Sequence, residues 1–220
     1  MTWDPVWESV FASRPWGRYP QEELVRFVAR RFYSEQDRSS VRILELGCGP
    51  GSGASWFVAR EGFALSGIDA SPTAIERSRS RFAAEGLSAE FVEGDIATLP
   101  WPEATFDAVL DSLCLACLTE AETAAVLAQV HRVLKPGGAH FSLLPKSGCW
   151  GDGTGARLDA TTIAEASEGP FRQLGKTRFA TEESIRRLYA QFRDLALEYE
   201  IRSAENRTRE VSHWVITCRK

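Results

Sequence analysis

Four acids and a run of glycines stand at intervals suited to holding a nucleotide-like ligand. Glu45 precedes Gly47, Gly49, Gly51 and Gly53, spaced at alternate positions. Asp69, Asp95 and Asp111 follow, each at or just past the end of an apolar run. Glycine admits positive φ and lets the backbone approach a ligand with no Cβ between them. Gly49 to Ala54 fits G-x-G-x-x-G/A, the pattern that seats a pyrophosphate on a helix N-terminus. An acid closing a second strand accepts hydrogen bonds from ribose hydroxyls, and Asp69 takes that place. Asp69 therefore argues for a ribose without fixing what the ribose carries.

These residues need a scaffold, and the chain supplies one in order. Val41 to Leu46 reads as a buried strand, and helical residues resume near Ala54. Strand patterns recur at 64–69, 89–96, 106–113 and 139–144, and alternation marks two more at 196–202 and 211–219. Helices are expected at 4–12, 21–33, 72–85 and 120–134, with a further one from 182 to near Phe192. Ser71 and Thr119 are the expected N-caps, with Pro72 at a first helical position. Leu134-Lys135-Pro136-Gly137-Gly138 reads as a helix stop and reversal into the sheet.

The pattern E-x-G-x-G-x-G from Glu45 resembles the first motif of class I S-adenosylmethionine-dependent methyltransferases. ALSGID, AEFVEGDI, FDAVLDSL and LKPGG resemble later elements of the same family, in the same sequence. The resemblance implies an α/β fold. Its seven-stranded, mostly parallel, doubly wound sheet would have order 3-2-1-4-5-7-6, the last strand antiparallel and helices on both faces. It implies S-adenosylmethionine as cofactor, its methionine end over Glu45, Gly47, Cys48, Gly49 and Gly51. Asp69 and Ala70 would take the ribose, and Asp95 with Ile96 the adenine. Asp111 and Ser112 would border the methyl. A carboxylate suits a ligand carrying an ammonium and a sulfonium, whereas it opposes two phosphates.

Two segments lie outside that cofactor framework and are expected to determine the acceptor. Arg14 to Pro20 carries Trp16 and Tyr19, and aromatic faces attract cations such as a sulfonium. Pro145 to Ala180 is long for a connection, and loops of that size are usually functional. It should hang over the carboxyl ends of the strands, where ligands bind in such sheets. Trp150 and Arg178 are its expected substrate contacts. With an antiparallel last strand, His213 starts near the ligand edge and is the histidine expected to meet substrate. His131 and His140 are expected to be structural, and no catalytic acid or base is assigned.

The 220 residues are expected to form a single methyltransferase domain. Its parts would be a helical lid (1–40), a cofactor core (41–144), a substrate-lid insertion (145–180) and a terminal helix with hairpin (181–220). A net charge of −4 argues against a nucleic-acid track. No apolar run reaches membrane-spanning length, and no secretory leader is visible, so a cytoplasmic protein is expected. Five cysteines, an odd count, suggest reduced thiols; Cys114 and Cys117 lack the companions of a zinc site, and no metal is expected. The expected partner is a small-molecule substrate, and the chain is expected to be a monomer or homodimer. The competing readings are a nicotinamide-dependent oxidoreductase, an aminopropyltransferase and a non-catalytic S-adenosylmethionine-binding module.

Overall fold

The apolar run that ends in Glu45-Leu46 becomes β1 (Arg42–Leu46), buried except at its first residue. In the computed structural model, which describes residues 2–51 and 53–220, β1 is central. It pairs in parallel with β2 (Ala64–Asp69), and β2 with β3 (Glu90–Glu93). On its other side β1 pairs in parallel with β4 (Phe106–Ser112), and β4 with β5 (Leu134–Pro145). The insertion after β5 folds its own small antiparallel sheet from β6 (Ala156–Arg157), β7 (Thr162–Ala164) and β8 (Lys176–Arg178). The chain ends in an antiparallel hairpin, β9 (Arg193–Ala204) and β10 (Arg209–Arg219), with β10 antiparallel against β5. The main order, β3-β2-β1-β4-β5-β10-β9, is the expected one once the three insertion strands are numbered.

Alternating side chains give the strands two apolar faces. Ile43, Leu110 and Phe141 pack under α2 (Glu22–Phe32), α3 (Ala54–Arg60) and α4 (Pro72–Glu85), which follow α1 (Val6–Ser13). Leu44, Leu46 and Val109 pack under α5 (Glu120–Val133) and α6 (Glu182–Leu188). Local chemistry fixes where helices begin. The Ala74 N–H donates to the Ser71 hydroxyl at 3.0 Å. Thr119 with Glu122, and Thr181 with Ser184, form reciprocal capping boxes.

Several boundaries differ from the sequence reading. Asp4 stays outside α1, because its carboxylate accepts the Val6 N–H at 3.1 Å and makes a local turn instead. α6 stops at Leu188, and Tyr189 and Phe192 turn into the core. LKPGG is not a separate turn but the start of β5. The register jumps from Phe106↔Leu134 to Ala108↔Ala139, so the extra residues bulge out. The bulge is held by the last residue: Gly137 N–H donates to Lys220 O at 3.2 Å, and Lys220 N–H to Gly138 O at 3.0 Å.

Candidate functional site

The glycine turn is shaped by what touches it. Gly47, Gly49, Gly51 and Gly53 all have positive φ. A Cβ on Gly47 would collide with the Cys114 side chain, and one on Gly51 would lie 2.9 Å from Ser78 Cα. Cys48 N–H donates to Ile68 O at 3.0 Å, binding the turn to β2. Asp69 accepts Gly49 N–H at 2.8 Å on one oxygen and Ser71 N–H at 2.9 Å on the other. Each oxygen of Asp69 keeps a free lone pair. Burial raises its pKa, partly offset by those amides.

Glu45 lies beneath the same turn, buried, and accepts the hydroxyl of Ser55 from the start of α3. Burial pushes its carboxyl up to about 8, with the Ser55 hydrogen bonds working against it. At neutral pH the ligand-free side chain therefore keeps a proton. A cation placed against it would release that proton.

Asp95 is engaged from the far end of the chain. Thr2 N–H donates to one carboxylate oxygen at 2.7 Å, and the Thr2 hydroxyl donates to the other. Burial acts to raise the Asp95 pKa, but the hydrogen bonds from Thr2 and Ala97 outweigh it and leave it lowered. Lys176 of β8 reinforces this closure. Its ammonium donates to Thr2 O at 3.3 Å and pairs with Glu122 at 2.8 Å, while its N–H donates to Asp4 at 3.4 Å. One lysine thus joins the N-terminal segment, the insertion and α5.

At the end of β4 the two adjacent predicted residues diverge. Asp111 is fully buried and lies outside the cavity. One oxygen accepts Cys114 and Leu115 N–H at 2.8 and 3.0 Å, and the other accepts the Ser142 hydroxyl. Burial lifts its pKa to about 6 against those hydrogen bonds. Asp111 therefore holds the loop that follows β4 instead of bordering a methyl group. Ser112 does face the cavity, donating to Gln21 at 3.1 Å. Leu113, at φ 70°, turns the chain so that Leu113, Cys114 and Cys117 line the same space.

A cavity of about 460 Å³ unites these elements. It is lined by Glu45, Gly47, Cys48, Gly49, Asp69, Ala70, Asp95, Ile96 and Ser112, and by Trp16, Tyr19 and His213. Gly51 is not at its surface; it packs on Ser78. The two substrate contacts expected in the insertion are corrected. Arg178 is completely buried, with Nη2 3.5 Å from Leu115 O, and does not reach the cavity. The alternation along β8 sends Thr177 there instead. Trp150 also lies off the cavity, donating to Glu168 at 3.1 Å beside Arg209.

Sequence reading missed the aromatic wall made by Trp3, Trp7 and Phe11, and the insertion's Phe171 and Leu174. The signal for the first three was present: they recur at i, i+4 and i+8, one face of a helix. Trp16 packs edge-on against Trp7 and Phe11, with centroids at 6.1 and 5.2 Å. Tyr19 stands edge-on to Trp56 at 5.7 Å.

Residues 43–138 match the family described as Methyltransferase domain. This segment is a class I S-adenosylmethionine-dependent methyltransferase domain. The fatty-acid O-methyltransferase of Mycolicibacterium smegmatis is 36% identical to this chain over 121 residues, 53% of this chain and 43% of that protein. The phthiotriol/phenolphthiotriol dimycocerosates methyltransferase of Mycobacterium leprae is 37% identical over 125 residues, 54% of this chain and 45% of that protein. The chain thus spans less than half the length of these curated relatives. A methyltransferase structure from Methanosarcina mazei shares the fold, with TM-score 0.63 and 21% identity over 81% of this chain and 92% of that one. The methyltransferase domain's residues fit S-adenosylmethionine: a glycine cradle that a Cβ would fill, a buried carboxylic acid beneath it, and a two-oxygen acceptor at Asp69. Among the described residues, no helix is long and apolar enough to cross a membrane.

Proposed function

We propose that this chain transfers a methyl group from S-adenosylmethionine to an apolar small-molecule acceptor bound in the same cavity. One observation carries the reading. Glu45, Asp69, Asp95 and Ser112, from the ends of four adjacent parallel strands, open onto a single cavity that continues between α1 and the insertion. Glu45 with Gly47, Cys48 and Gly49 would hold the methionine end, Asp69 with Ala70 the ribose, and Asp95 with Ile96 the adenine. When bound, S-adenosylmethionine supplies an electrophilic methyl on a positively charged sulfur.

The chain's own contribution is alignment and exclusion of water, which can supply on the order of 7–11 kcal/mol. Trp7, Phe11, Trp16, Phe171 and Leu174 add apolar walls to the same cavity, Phe11 beside Gly49. These walls favour an apolar acceptor, in keeping with the fatty-acid and phthiotriol acceptors named for the mycobacterial relatives. Residues 1–40 and 145–180 act in this reading as two covers over one core. The nicotinamide reading is disfavoured by Glu45, because a carboxyl under the glycine turn gains charge attraction from an ammonium and a sulfonium and none from a diphosphate.

Calorimetry on the purified chain tests the reading. Heat is expected with S-adenosylhomocysteine and none with NAD or NADP. Incubating a metabolite extract with isotopically labelled S-adenosylmethionine should then yield a labelled small molecule. Binding without any turnover would leave the non-catalytic module in its place.

A further inference from the structure

We propose that His213 accepts the proton of the group that is methylated, that Glu200 positions its ring, and that the acceptor is therefore a hydroxyl compound. The inference deepens the reading above and rests on it.

His213 is the one histidine lining the cavity among the described residues. It sits on β10 opposite Pro145 of β5 and opposite Glu200 of β9. Its Nδ1 lies 3.0 Å from Glu200 Oε1. Glu200 is not a cavity residue; it approaches from the solvent side of the edge strand, with 41% of its side chain exposed against 14% for His213. A carboxylate on Nδ1 accepts N–H and leaves the lone pair on Nε2. Phe171 stands edge-on at 6.3 Å and limits rotation of the ring. Arg202 of β9 also lines the cavity, and Lys146, next to Pro145, stands over the ring of the neighbouring Trp214.

The other carboxyl groups lining the cavity are engaged. Asp4, Glu45, Asp69 and Asp95 each accept hydrogen bonds from the protein. Burial holds the Cys114 and Cys117 thiols protonated, Cys117 up to about 12. His140 is buried away from the cavity, with Nδ1 3.0 Å from Val109 O. Through β5, Ser112 faces Leu143 and His213 faces Pro145. Two strand spacings, roughly 10 Å, therefore separate β4 from β10. Both Ser112 and His213 line the one cavity, so an acceptor reaching from one to the other would lie over the end of β5.

A base matters only for an acceptor that must shed a proton as it reacts. A carboxylate or a thiolate needs none, whereas an alcohol or phenol does. In the step, the acceptor oxygen forms a bond to the methyl carbon as the carbon–sulfur bond breaks, its electron pair staying on sulfur. The O–H proton passes to Nε2. Glu200 stabilises the imidazolium, which returns its proton to solvent.

Two measurements test this. Long-range ¹H–¹⁵N NMR of the chain saturated with S-adenosylhomocysteine should show neutral His213 protonated on Nδ1, and Glu200→Gln should erase that preference. A dominant Nε2–H tautomer in the unaltered chain overturns the proposal whether or not any acceptor is turned over. Labelled transfer would then be followed to 1-dodecanol, catechol, dodecanoic acid and 4-nitrothiophenol, a thiol already ionised at neutral pH. His213→Gln should cut kcat on the hydroxyl probes roughly 10²–10⁴-fold, remove the acid limb of their pH profile, and leave transfer to the thiol within about twofold. Equal loss on all probes, or turnover of the acid and thiol with no hydroxyl methylated, overturns it. Failure to bind S-adenosylhomocysteine at all would sink the methyltransferase reading instead.

Discussion

Thr2 and Asp95 meet across 93 positions of sequence, the amide and the hydroxyl of Thr2 each donating to one oxygen of the Asp95 carboxylate. If Asp95 reads adenine, the two Thr2 donors already compete for that acceptor in the ligand-free protein. Thr2→Val removes the hydroxyl while keeping the shape. A hydrogen bond contributes about 0.5–1.5 kcal/mol net, so affinity for S-adenosylhomocysteine is expected to rise up to about tenfold by calorimetry. Unchanged or weaker binding would sink this view of Asp95.

Glu45 makes stability pH-dependent in a particular direction. Its folded-state pKa, about 8, lies above its ordinary value of 4.5. The folded state thus binds its proton more tightly than the unfolded chain does. The favourable contribution is full below about 4.5 and is lost as pH rises through about 8. Asp111, lifted from 3.8 to about 6, adds the same trend at lower pH. The melting temperature of the ligand-free protein should fall between pH 5 and 9, and Glu45→Gln should flatten the upper part of that fall. Thermal melts of the two proteins that run parallel across this range would refute it.

The same raised pKa predicts proton release on cofactor binding. The ammonium of either ligand, joined in S-adenosylmethionine by the sulfonium, favours the Glu45 carboxylate. At pH 7, calorimetry in buffers of different ionisation enthalpy should report close to one proton released per S-adenosylhomocysteine or S-adenosylmethionine bound. Glu45→Gln should bring that number toward zero. Binding heats that do not vary with buffer would remove Glu45 from the site.

Asp69 serves the turn as well as a ligand. Asp69→Ala leaves the Gly49 and Ser71 amides without their acceptor, at about 1–3 kcal/mol for each buried group. It should lower the melting temperature and abolish binding together. Asp69→Asn keeps a carbonyl oxygen for one of the two amides and leaves the other unpaired, so it should lower the melting temperature less than alanine while weakening binding. Wild-type affinity in Asp69→Asn would show that the carboxylate does not face the cofactor.

Gly51 is expected to matter through packing alone. An alanine Cβ there would lie 2.9 Å from Ser78 Cα at φ +63°. Gly51→Ala should cost on the order of 1–3 kcal/mol, read from denaturant unfolding. A neutral result would mean that the turn can shift away from α4.

The sheet was legible because each strand carries its own apolar period and each following acid marks a strand end. That the glycine turn, Asp69, Asp95 and Ser112 lie together was legible for the same reason, since strand order brings those ends to one edge. Asp111 misled because type and position cannot tell an acid that faces a ligand from one that caps the Cys114–Leu115 amides. Arg178 misled because the insertion was read as a loop, whereas β8 alternates and turns Arg178 inward and Thr177 to the cavity. The N-terminal wall was hidden because Trp3, Trp7 and Phe11 reach the site only through tertiary contacts, among them Glu8 with Ser71 and Thr73.

Lys176 has a kinetic corollary. Because one lysine, seated in the small sheet, holds Thr2 and Glu122 through its ammonium, the two covers proposed above would share one latch. Donor and acceptor then cannot come and go independently, and turnover should follow a compulsory sequence, visible as product-inhibition patterns that Lys176→Met converts to random entry.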